Sequence, residues 1–152
     1  MSAEFRQALE QVPYARFLGI DYDATLRLFL LPFAEPLVGN ARLPALHGGV
    51  VGGFMETAAI IWLLLHEDQR RVPKPIDFSI DYLRSARARD SYAACEVLRQ
   101  GRRIAQVSVR CWQGDAARPV AVARAHFMLD APAAAGAGDG AGVSDGAAGA
   151  GA

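Results

Sequence analysis

One acidic side chain sits where acids are rarely found. Over positions 48–65 of the 152-residue chain the sequence is apolar or small, and Glu56 is its single ionisable group. An ionised carboxylate buried alone is strongly unfavourable, so Glu56 must be paired, protonated or placed at a cavity. Such acids often carry function; the plainer reading is a structural glutamate hydrogen-bonded across a subunit interface. Seven residues earlier the triplet His47-Gly48-Gly49 opens the same segment. Glycines at a helix start present backbone N–H groups with no Cβ in front of them. That suits an anion or a polarised carbonyl oxygen. The plainer reading here is a tight turn capped by His47. Seven residues are two helical turns, so Gly49 and Glu56 share a face.

The elements that must hold this pair follow from periodicity. Ser2 to Val12 reads as a short helix with Phe5, Leu9 and Val12 at helical spacing, and Tyr14 to Leu18 as a second short turn closed by Gly19. Ile20 to Phe33 reads as a strand region with Leu26, Leu28 and Leu30 on one face, and Glu35 to Leu46 as a loop. The segment from Gly48 or Gly49 to His66 is apolar nearly all round, which predicts a helix enclosed by other elements. It is slightly short for a membrane span and interrupted by the acid, so a buried helix is the better account. After it the period changes to two. Ile76 to Leu83, Ser91 to Arg99, Ile104 to Trp112 and Val120 to Leu129 read as strands joined by turns at Gly101-Arg102 and at Gly114 to Arg118. One apolar helix and one antiparallel sheet predict an α+β architecture in which the sheet wraps around the helix.

Composition narrows the function. A net charge of zero does not fit a general nucleic-acid binder. Two cysteines are too few for a disulfide framework. Cys95 has no histidine signal nearby, and His47, His66 and His126 fall on different elements without ligand spacing, so neither a thiol nucleophile nor a metal site is expected. His66 suits a helix C-terminus and His126 a structural place in the last strand. No G-x-S-x-G elbow, P-loop or G-x-G-x-x-G fingerprint occurs. Met1 to Gln11 is charged and amphipathic, unlike a signal peptide, so a cytoplasmic location is expected. From Ala131 the chain is nearly all Ala and Gly. A domain over 1–130 and a tail over 131–152 without chemistry are expected.

The stretch His47-Gly48-Gly49 with Glu56 resembles the central helix of hotdog-fold acyl-CoA thioesterases, the PaaI-like and 4-hydroxybenzoyl-CoA thioesterase-like groups, which carry an HGG motif followed by Asp or Glu. Asp81-Tyr82-Leu83-Arg84 and Gly101-Arg102-Arg103 resemble the strand after that helix and its hairpin. The resemblance spans about Tyr14 to Leu129. It implies hydrolysis of an acyl-CoA thioester, aryl or medium-chain, with coenzyme A as part of the substrate and no cofactor. It implies a homodimer, by family habit a tetramer, with Glu56 of one subunit facing the helix start of the other. Gly49 N–H would polarise the carbonyl, Glu56 would act as general base or nucleophile, His47 would shape the turn and contact substrate as a further active-site residue, and Gly48 would help to bind the substrate. Thr57 would hydrogen-bond the acid or the water, and Asn40 would correspond to an asparagine preceding the motif. Arg84, Arg102 and Arg103 are the phosphate candidates, with Arg42 and Lys74 behind them. Phe54, Met55 and Trp62 belong either to an acyl pocket or to plain core. A hydratase or dehydratase, or a non-catalytic acyl-CoA-binding protein, are the alternatives.

Overall fold

The computed structural model describes residues 2–40, 42–66 and 71–129. The expected tail, 131–152, lies outside them. Helix α1 (Ala3–Gln11) starts at Ser2, whose Oγ accepts the Phe5 N–H at 3.2 Å, and buries Phe5 and Ala8. Helix α2 (Pro13–Leu18) begins with a proline at its first turn and ends at Gly19, whose φ of 69° supplies the left-handed cap.

The single strand expected over Ile20 to Phe33 is instead a hairpin of β1 (Asp21–Asp23) and β2 (Leu28–Leu31). Asp23 Oδ1 accepts the N–H groups of Thr25 and Leu26, closing the turn. Leu28 and Leu30 do share a face, but it is the less buried one. Phe29 and Leu31 are buried, Leu28 and Leu30 are half-buried, and Leu26 is exposed on the turn. The expected loop holds a short 3-10 turn, Glu35–Leu37, and a hairpin of β3 (Val38–Asn40) and β4 (Ala45–Leu46).

Helix α3 (Gly48–His66) then crosses the sheet formed by β1, β2 and the long strands β5 (Lys74–Tyr82), β6 (Ser91–Gln100), β7 (Ile104–Trp112) and β8 (Ala121–Met128). The order is β1-β2-β6-β7-β8-β5, antiparallel throughout. Period-two alternation aims Ala93, Ala105, Ala121, Ala123 and Ala125 inward, all nearly inaccessible. These small side chains let the bulk of α3, Phe54, Met55, Ile61 and Leu63, settle against the sheet. By length and composition α3 could cross a membrane, yet most of it is buried in this core. One α-helix clasped by one antiparallel sheet is the hotdog fold.

Strand β5 is the edge. It pairs on one side only, with β8, and Ile76 and Tyr82 on it are half exposed. The expectation that α3 is enclosed on every face is corrected. Gly48 and Gly49 are exposed, and Gly52, Gly53 and Glu56 are partly accessible. Hydrophobicity alone mistook these glycines for core, because glycine is small rather than apolar.

Candidate active site

The partly accessible stripe of α3 is flanked by two tyrosines. Tyr82, from the end of β5, donates its hydroxyl to Gly48 O at 2.7 Å, and its ring lies over Gly48 and Gly52. Tyr14, from α2, lies over Gly53 on the other side, 3.0 Å from where a Cβ would stand. Glu56 follows one turn later, half-buried, and its carboxylate has no hydrogen bond or ion pair among the described residues. It is therefore an accessible acid. Tyr14 carried no sequence signal, and Tyr82 appeared only within Asp81-Tyr82-Leu83-Arg84, with no sign that it would pack on the helix start.

The helix start is built by the preceding hairpin. His47 N–H donates to Leu37 O at 2.9 Å, and Gly39 sits as the extra residue between the pairs Val38↔Leu46 and Asn40↔Ala45. His47 is exposed, and its Nδ1 accepts the Gly49 N–H at 2.9 Å. The histidine thus caps the helix, and the Gly49 N–H is engaged rather than free. Val50 N–H and Val51 N–H both reach His47 O.

The remaining sequence-derived residues scatter. Thr57 is buried, and no hydrogen bond joins it to Glu56 among the described residues. Asn40 is in the hairpin, where its Oδ1 accepts the N–H groups of Arg42 and Leu43. Arg84 follows β5 at the same end as the α3 start and donates to Pro119 O at 2.8 Å. Arg102 and Arg103 are at the other end, where Ile104, Met128 and Lys74 are aligned. The length of β5, eight steps of about 3.4 Å, separates them from Arg84. Phe54 and Met55 are wholly buried, and Trp62 stacks on His66 with centroids 4.0 Å apart, so within the subunit all three are core. His126 pairs with Asp77 at 3.1 Å across the β5–β8 register. Burial pushes the Cys111 thiol up to about 12 and raises Cys95 as well. Neither is a thiolate near neutrality, so neither is a nucleophile.

Residues 43–120 match the thioesterase superfamily. Among solved structures, a protein from Chromobacterium violaceum is 41% identical, with 84% of this chain and 93% of that chain covered and a TM-score of 0.63. The PaaI protein from the phenylacetic acid degradation operon of E. coli shares the fold at 19% identity, over 84% and 99% of the two chains, with a TM-score of 0.66. A Bacillus halodurans protein solved with CoA does so at 19% identity, over 84% and 86%, with a TM-score of 0.63. No protein of curated function matches. The family match covers half of the chain and includes the helix that carries Glu56, so the chain belongs to the thioesterase superfamily.

Proposed function

We propose that the chain hydrolyses acyl-CoA thioesters, with aryl or medium-chain acyl groups, to the free acid and coenzyme A, and that Glu56 is the catalytic carboxylate. The observation that carries this is the unpaired, partly accessible Glu56 beside the glycines of the helix that the family match includes. A carboxylate so placed has two routes. As general base it takes a proton from water while the water oxygen attacks the thioester carbon; the C–S bond then breaks and the thiolate takes a proton. As nucleophile it attacks that carbon itself, expels the thiolate and leaves a mixed anhydride, which water cleaves. In both, charge develops on the carbonyl oxygen. The Gly49 N–H stabilises it once the oxygen replaces His47 Nδ1 as acceptor.

One copy places the two groups poorly for one carbonyl, because the Gly49 N–H points towards the helix N-terminus, away from Glu56. Seven residues of helix separate Gly49 from Glu56 by about 10 Å of rise. A reacting atom must lie about 3 Å from each group. A glutamate leaning back towards the helix start shortens the span, but the carbonyl would then have to lie behind the N–H it must accept from. A second copy supplies the missing partner. The unpaired edge of β5, with Ile76 and Tyr82 half exposed beside α3, is the edge on which it would pair. The working unit is thus a homodimer, with a homotetramer as the larger assembly.

The test is thiol release from a panel of aryl- and acyl-CoAs by wild type and Glu56→Gln. The variant should lose at least about 100-fold of the rate. A folded variant at full rate refutes the mechanism. Binding of coenzyme A esters without any turnover moves the protein to the non-catalytic reading.

A further inference from the structure

We propose that the segment between β5 and β6, together with the β7–β8 turn, forms a phosphate site for the nucleotide end of a coenzyme A thioester. Its cations are Arg84, Arg87, Arg89 and Arg118, and the ligand rests on the thioesterase reading above. Sheet order places β8 and β7 between β5 and β6, so residues 83–90 must cross the ends of both strands. That crossing carries three arginines. The β7–β8 turn is at the same end and adds Arg118. All four guanidiniums line one cleft of about 540 Å³ with Gly114 and Asp115.

The charge there has no internal answer. All four arginines are exposed. Among the described residues the single ion pair is His126 with Asp77, so no carboxylate lies within 4.0 Å of these cations. Arg84 and Arg89 each donate once to a carbonyl, Pro119 O at 2.8 Å and Gln113 O at 3.1 Å, which leaves further donors on each fork. The side chains of Arg87 and Arg118 make no hydrogen bond among the described residues.

The crossing is also held in place. Gln113 is 6% exposed. Its Oε1 accepts the Arg87 N–H at 2.9 Å, and its Nε2 donates to Arg87 O, Arg89 O and Ser91 Oγ at 2.9, 3.1 and 2.9 Å. Leu46 N–H donates to Ala86 O and Ala88 N–H to Pro44 O, which fastens the crossing to the hairpin that precedes His47. A buried amide bonded to this backbone and to Ser91 Oγ presets the crossing that carries the arginines, so less ordering is needed on binding.

Guanidinium forks match phosphate oxygens in pairs. Arg84, Ser85 and Val120 line both this cleft and a neighbouring one bounded by Gly48, Val51 and Tyr82. The two clefts therefore adjoin at these three residues. A ligand whose reacting end lies at the α3 start and whose far end carries several phosphates fits that layout. Coenzyme A has a diphosphate and a 3′-phosphate on its nucleotide.

The probe is adenosine 3′,5′-bisphosphate, which lacks both pantetheine and acyl group. Its Kd is measured by calorimetry on wild type and on Arg87→Ala/Arg118→Ala, which removes no internal hydrogen bond; a thermal melt confirms the fold. The Kd should rise at least about tenfold. The KM for an acyl-CoA should rise similarly at constant kcat, while an S-acyl-pantetheine, which has no phosphate, is turned over equally by both proteins. An unchanged Kd in the folded variant overturns the site, as does wild type that fails to bind the nucleotide. Inorganic phosphate binding as tightly as the nucleotide overturns the assignment to coenzyme A. Loss of nucleotide binding in a protein whose wild type cleaves no thioester upholds the site and removes the thioesterase reading instead.

Discussion

Gly39 offers a sharp test of how the helix start is built. Its φ is not in the left-handed region, so conformational freedom is not why it is glycine. Space is the reason. A Cβ there would stand 2.7 Å from His47 Cα, 2.8 Å from its Cβ and 2.9 Å from Cδ2. The first of these is backbone and cannot rotate away. Restoring ordinary contact at about 3.4 Å needs roughly 0.7 Å of movement between the hairpin and His47. Overpacking of this kind costs about 1–3 kcal/mol. The same movement stretches the His47 Nδ1 to Gly49 N–H bond, now 2.9 Å, to the limit of a hydrogen bond. Loss of that cap costs about 1 kcal/mol more. Gly39→Ala is therefore expected to lose about 2–4 kcal/mol in urea unfolding. Tm should fall by roughly 6–15 °C, at about 3–4 °C per kcal/mol for a domain of this size. An amide NMR spectrum should show the Gly49 resonance displaced. A variant within about 0.5 kcal/mol of wild type, with the Gly49 amide unmoved, refutes this account of the helix start.

Three further outcomes are expected. Gly52→Ala places a Cβ in ordinary contact, 3.4 Å from the Tyr82 hydroxyl, so the fold should gain about 0.5–1 kcal/mol of helix propensity while thiol release falls; lost stability at an unchanged rate contradicts this. The buried thiols bind protons in the folded chain that the unfolded chain releases from about pH 9. Their contribution is complete below that pH and is lost as pH rises towards 12, at about 1.4 kcal/mol per unit for each thiol. Urea unfolding at pH 8 and 10 should show this extra slope in wild type and lack it in Cys95→Ala/Cys111→Ala; equal slopes dismiss it. Lastly, Glu56→Gln mixed with Gly49→Pro, which deletes the Gly49 N–H in a first turn that tolerates proline, should recover about a quarter of wild-type thiol release through mixed dimers. No recovery from subunits shown to exchange rules out a site shared between copies.

The sequence made the architecture legible wherever periodicity was long. Strands β6, β7 and β8 alternate cleanly because one face is buried, and α3 runs without a break from Gly48 to His66. Short elements were harder. The Leu26-Leu28-Leu30 alternation pointed to one strand, since nothing in it signalled that Asp23 would close a turn and Arg27 adopt a φ of 55°. Strand order was not legible either. Arg84, Arg102 and Arg103 are all basic residues in strand-flanking turns, but topology sends the last two to the opposite end and brings Arg87, Arg89 and Arg118 to the first.

The candidate acid and glycine pair were visible in the sequence; the packing of two tyrosines over the helix glycines was not, and the reason is physical. A glycine inside a helix costs about 1 kcal/mol relative to alanine. Four of them stand in the first six residues of α3. Packing within the chain explains some. A Cβ at Gly53 would press on Tyr14 and one at Gly49 on the His47 ring, both at 3.0 Å. It does not explain the others, because Gly48 and Gly52 have room for a methyl group at 3.5 and 3.4 Å from Tyr82. A helix that carries glycine where its own fold accepts alanine is shaped for something that approaches from outside. On this face the approaching body would meet Glu56 next, the partly accessible carboxylate that we propose does the chemistry.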